Sequence, residues 1–141
     1  MIKRNEQGTF TVWALGLCLM LFALSGISID LWRAYDARRT LHEIADTAAR
    51  SGASEIDVQQ RQLYGNIILD TDKAQESSKS SITSNAELKN VRIIDQQIDV
   101  DASSNEVTVE IRSKFSFFLL GFFPGGNDAD IDVSSSARPF E

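Results

Sequence analysis

The sequence predicts an α+β chain in which one long N-terminal helix crosses a membrane, continues as an amphipathic helix, and packs on a small antiparallel β-meander. Three observations carry this. Gln7 to Ile29 holds no charged side chain. Small and apolar residues from Leu41 to Ile56 recur at helical spacing. Beyond Val91 the pattern changes to short alternating runs separated by turn residues. The chain then divides into an N-terminal segment 1–8, a transmembrane helix 9–31, its extension 32–56, and a small α+β domain 57–141.

Composition narrows the function. The chain is 141 residues, 43% hydrophobic and 24% charged, which resembles a soluble protein on average. Much of the apolar weight lies in the uncharged run, and the roughly 110 residues left can bury one thin core but not wall a deep cleft. Net charge is −6, and residues 30–141 hold 12 Lys/Arg against 19 Asp/Glu. Such a surface repels phosphate backbones, so no nucleic acid is expected as partner. Cys18 is the single cysteine and lies in the apolar run, which excludes a disulfide within the chain. Leu17 before it is not the small residue that a lipoprotein signal places there.

The first helix follows from its length. About 20 residues of helix cross a hydrocarbon layer of roughly 30 Å, and the uncharged run exceeds that. Trp13 and Trp32 stand near its two ends, where amphipathic rings favour the interface. A cleaved signal peptide, with Lys3 and Arg4 ahead of an Ala23-Leu24-Ser25 cut, is the alternative. The run outlasts the usual signal core of about 7–15 residues, which favours retention. Charge does not orient the span: Lys3 and Arg4 flank one end, and Arg33, Arg38 and Arg39 the other.

The extension shows Leu41, Ile44, Ala45, Ala48, Ala49, Gly52, Ala53 and Ile56 at alternating intervals of three and one, a single helical face. A rod from about Thr9 to about Ser54 is near 70 Å long at 1.5 Å per residue. Ala45, Ala48, Ala49, Gly52 and Ala53 form a helix-packing interface of small side chains, which lets another backbone approach closely. That backbone is either the chain's own fold or a neighbouring molecule. Glu43 and Asp46 offer helix-spaced partners for Arg50.

Further on, Leu63-Tyr64 and Ile67-Ile68-Leu69 form a short apolar cluster. The polar stretch Asp70–Glu87 reads as a surface helix around Lys73–Ser84 or as a loop. Val91–Ile94 with Gln97–Asp101, Glu106–Arg112 and Asp130–Ala137 read as strands, turned at Ala102–Asn105 and Gly125–Asp128. Val107, Val109 and Ile111 share one face, as do Ile131, Val133, Ser135 and Ala137, and the long helix is their natural cover. Phe115, Phe117, Phe118, Phe122 and Phe123 make a separate lobe, five of the eight phenylalanines. It either fills the core at the sheet's end or is an exposed lobe that docks on a partner or dips into a leaflet.

Catalytic groupings are missing. His42 is the lone histidine, expected on the helix surface. The alternating aspartates Asp99 and Asp101, and Asp128, Asp130 and Asp132, lack the glycine and distal glutamate of a calcium loop, and are read as a solvated strand face. No enzyme activity, cofactor, metal or small-molecule substrate is expected.

The residues from Gly8-Thr-Phe-Thr-Val-Trp-Ala-Leu through Ser28-Ile-Asp30-Leu-Trp-Arg33-Ala-Tyr35 to Leu41-His-Glu-Ile-Ala45-Asp46-Thr-Ala48-Ala49-Arg-Ser-Gly52-Ala53 resemble the N-terminal signature of TadG-like (TadE/TadG-type) Tad/Flp pilus-assembly proteins. The resemblance covers about residues 8–56. His42 stands where the family has Gln, and Arg50 where it has Leu. It implies a pilin-like, single-pass bacterial inner-membrane protein with a cytoplasmic N-terminus and a periplasmic or extracellular domain. Its expected partners are other Tad/Flp pilus or minor-pilin proteins in the membrane, and the lipid bilayer itself. The implied role is a minor-pilin or pseudopilin-like subunit of this tight-adherence secretion and pilus apparatus. Gly8 and Thr9 are the candidate processing site that a prepilin-like start implies. Trp13 stands where Flp pilins carry the glutamate that neutralises a neighbour's amine, which favours a membrane-held or tip-initiating part over a bulk subunit. A bitopic or secreted adhesin-like module that uses the Phe-rich lobe is the alternative.

Overall fold

The computed structural model describes residues 6–57, 68–118 and 128–139. Helix α1 runs unbroken over Glu6–Ala53. Helix α2 spans Thr71–Leu88. Strands β1 (Ile93–Asp101), β2 (Glu106–Ser116) and β3 (Asp128–Ala137) form one antiparallel sheet in the order β1-β2-β3. The predicted α+β architecture is the observed one: a long apolar helix, a second helix and a three-stranded meander. The helix ends at Ala53, beside the limit near Ser54 expected for the rod. Ile56 instead bridges Leu69 in an isolated antiparallel pair, closed by Asp57 N–H to the Ile68 carbonyl at 2.9 Å and Asp70 N–H to the Glu55 carbonyl at 3.0 Å. Of the apolar cluster after Ser54, Leu63, Tyr64 and Ile67 lie outside the described residues; Leu69 is buried.

Asp70–Glu87 is helical rather than a loop, and both ends explain why. Asp70 caps the N-terminus by accepting the Lys73 N–H. At the other end Asn90 takes a positive φ of 52°. Its N–H reaches the Glu87 carbonyl, and the Val91 N–H reaches that of Ala86. This is the paired closure that ends many helices, with asparagine in place of the commoner glycine. Only Ala74, Ser78 and Ile82 of α2 are buried. They recur every four residues and form one narrow stripe on an otherwise wet helix.

The sheet alternates as its sequence requires. Val107, Val109 and Ile111 are buried on β2, beside Val133 on β3. The register pairs Val107 with Val100 and Ala137, and Ile111 with Val133. The irregularity between Ile93 and Asp95 on β1 sits where the Ser113 hydroxyl donates to the Arg92 carbonyl at 2.7 Å. Asn105, at φ 51°, closes the β1–β2 turn. The core lies between this face, the C-terminal half of α1 and the stripe of α2. Thus α2 shares with α1 the work of covering the sheet.

Candidate functional site

Two features of α1 set it apart, and they occupy different halves. From Thr9 to Ser25 every side chain is exposed, on all faces. Phe10 and Trp13 are 76% exposed and Phe22 is 78%. A helix that is apolar all round needs an apolar environment to hold it. It is the one helix among the described residues that is long and apolar enough to cross a membrane. Its polar groups suit lipid. The hydroxyls of Ser25 and Ser28 donate to the Leu21 and Leu24 carbonyls at 2.8 and 2.9 Å, so neither requires water.

In the second half the small-residue stripe is buried inside the chain. Ala45, Ala48 and Ala49 have no accessible surface, and Ala53 is nearly as enclosed. Smallness allows α2 to lie close. A Cβ added at Gly52 would overlap the Ser78 Oγ and sit 3.0 Å from the Ala74 carbonyl oxygen and 3.1 Å from Val107 Cγ1. The Ser78 hydroxyl donates to the Ala48 carbonyl at 3.0 Å, and Ser51 and Ser77 share a hydroxyl contact at 2.9 Å. The approaching backbone is therefore α2 of the same chain.

Polar contacts then tie α1 to the rest. The Ser135 hydroxyl donates to one Asp46 oxygen at 2.9 Å, while Arg50 holds the other at 2.8 Å. Glu43 does not serve Arg50. It bonds Arg39 at 3.3 Å and Lys89, at the end of α2, at 2.6 Å. The Lys89 hydrogen bond and charge hold the Glu43 carboxyl below its ordinary value. His42 is exposed, as expected.

At the C-terminal end of the apolar run the structure adds a contact that spacing alone did not reveal. Asp30 is buried, with 1% of its surface accessible, and one carboxyl oxygen accepts the Phe118 backbone N–H at 3.1 Å. One turn on, the Arg33 guanidinium lies 5.8 Å from the centre of the Phe115 ring, which packs edge-on to Phe117. Asp30 thus lies within α1 and fastens to it the chain that leaves β2. Its place after 23 uncharged residues was the available signal, but the partner lies 88 residues away. Of the Phe-rich lobe, Phe115 and Phe117 are half-buried and Phe118 is 78% exposed. Phe122 and Phe123 lie outside the described residues.

The Gly8–Thr9 bond falls within α1. Asp132 pairs with Arg112 at 2.6 Å, and Asp101 binds its own turn through the N–H and hydroxyl of Ser103 and the hydroxyl of Ser104. Those hydrogen bonds lower the Asp101 pKa to about 2. Among the described residues no group of three or more His, Cys, Asp or Glu is arranged to hold a metal.

One comparison decides the family resemblance. Residues 8–55 match a family model, Tad, described as "Putative Flp pilus-assembly TadE/G-like". This stretch is similar to that family. The match covers about a third of the chain and coincides with α1, from the exposed apolar half through the buried stripe. The TadE/G-like helix supports a pilus-assembly role and, with its apolar half, a membrane-anchored chain. No curated protein matches the sequence, and no solved structure matches the fold.

Proposed function

We propose that the protein is a structural, non-catalytic subunit of Tad/Flp pilus assembly, a minor-pilin-like part held in the bacterial inner membrane. The observation that carries this reading is the continuity of α1. One helix is apolar on all sides in its first half and locked into a folded head in its second. Force or position applied to the head is thereby transmitted to the bilayer without a hinge. The N-terminus lies in the cytoplasm and the head outside, where it meets other pilus components and serves surface attachment.

Deletion of the gene tests the role. Loss of Flp pili and of surface attachment, both restored by the full chain, is the expected result; normal pili in the deletion strain overturn it. Orientation is read by labelling. In a Cys18→Ala background, Ser103→Cys should react with an impermeant maleimide added outside spheroplasts, and a site reactive only after lysis reverses the topology.

Processing is tested separately. Trp13 in place of the pilin glutamate favours a chain that keeps residues 1–8. The intact mass of the membrane-extracted protein should then equal that of the full sequence. A species that begins at Thr9 places the chain among processed pilins instead.

A further inference from the structure

We infer that the β2 end of the head rests in the headgroup layer of the same bilayer that α1 crosses, with Phe118 as its inserted side chain; this rests on the membrane-anchor reading above. Helix and strand match in length between two shared contacts. At the far end of the head, Gly52 of α1 lies against Val107 of β2, and at the near end Asp30 lies against Phe118. From Asp30 to Gly52 a helix rises about 33 Å, and from Val107 to Phe118 an extended chain covers about 37 Å. The strand thus runs back alongside the helix over its whole outer half. It returns to the residue that closes the uncharged run.

The hydrogen bond from the Phe118 N–H to Asp30 fixes that level to within one side chain. Phe118 itself is 78% exposed, so it does not fill the head's core. Trp32 and Tyr35, within two turns of the same point, are also exposed, and their rings lie 6.4 Å apart. Aromatic rings at such a level favour the boundary between headgroups and acyl chains. Arg33 stands beside them with its charge over the Phe115 ring. The occupant is lipid, because this surface continues directly from the apolar half of α1.

Bimane attached to single cysteines in the Cys18→Ala full chain, reconstituted into phosphatidylcholine–phosphatidylglycerol vesicles, tests the inference. The labelled positions are Met20, Trp32, Phe118 and Ser103, each changed to Cys. Phe118 is exposed and its bond to Asp30 is made by the backbone, so its substitution leaves the head intact. Lipid carrying a nitroxide high on its acyl chain should quench the label at 118 at least about threefold more than the label at 103, and about as much as that at 32. Iodide in the water should show the reverse order. A label at 118 that behaves like 103, with Met20 shielded, overturns the inference and leaves the anchor standing; this is also the result expected if Phe118 instead awaits a protein partner. A label at 20 as open to iodide as that at 103 overturns the anchor and the inference together.

Discussion

Gly52 shows how a single missing side chain sets the head's geometry. A Cβ there overlaps the Ser78 hydroxyl, which donates to the Ala48 carbonyl in the buried seam. Gly52→Leu is therefore expected to destabilise the head itself, by about 3 kcal/mol or more from overpacking, read by chemical unfolding in detergent. An unchanged midpoint combined with failed assembly would return the stripe to an intermolecular role. Ser78→Ala should cost about 1 kcal/mol, the net worth of one buried hydrogen bond. At Asp30, substitution by Leu leaves the Phe118 N–H without its acceptor. A loss of about 1–3 kcal/mol is expected, and faster hydrogen exchange at residues 115–118 should localise it. Exchange unchanged there would show that the bond does not hold β2 to the helix.

The elements differ in how plainly the sequence showed them. The apolar run and the stripe from Leu41 to Ala53 were legible because one period of 3.6 governs both, and the same helix carries them. Strands β2 and β3 were legible because one face is buried and the other wet, so their residues alternate. Helix α2 was ambiguous for a physical reason: its buried stripe is Ala74, Ser78 and Ile82, and two of these three are not strongly apolar. Its pairing with α1 was invisible locally, since it depends on Gly52 and Ser78 meeting across 26 residues. Strand β2 extends to Ser116, so the Phe-rich lobe begins inside the sheet rather than after it. The Asp30–Phe118 contact could not be read from periodicity at all. For α1, continuity is itself testable. Ala37→Pro removes one helical hydrogen bond and should cost about 3 kcal/mol or kink the rod. Membrane retention should survive while pilus assembly is lost; full assembly with this variant would show that a straight connection is not required.

Across the whole molecule, charge adds an acid sensitivity to a fold held mainly by its thin core. Glu43, Asp70, Asp101 and Glu106 all have carboxyls held below their ordinary values, by Lys89, by Lys73, by the Ser103 and Ser104 turn, and by Arg138. A depressed folded value means stability that is fully present above the unfolded value and lost as pH falls through the folded one. Unfolded values are 3.8 for aspartate and 4.5 for glutamate, and Asp101 falls to about 2. The head's stability should therefore be flat from about pH 5 to about pH 9 and decline from about pH 4 toward 2. A midpoint unchanged down to pH 2 would contradict this. The proposed role depends most on the rod, one unbroken helix expected to lie in lipid over its first half and packed in protein over its second. Hydrogen exchange of the full chain in vesicles addresses both halves at once. The account predicts slow exchange from Phe10 through Ala53 with no gap between Ser28 and Asp36, the lipid protecting one half and the head the other. Exchange within seconds across Phe10–Ser25, or a fast-exchanging break where the two halves join, would contradict it.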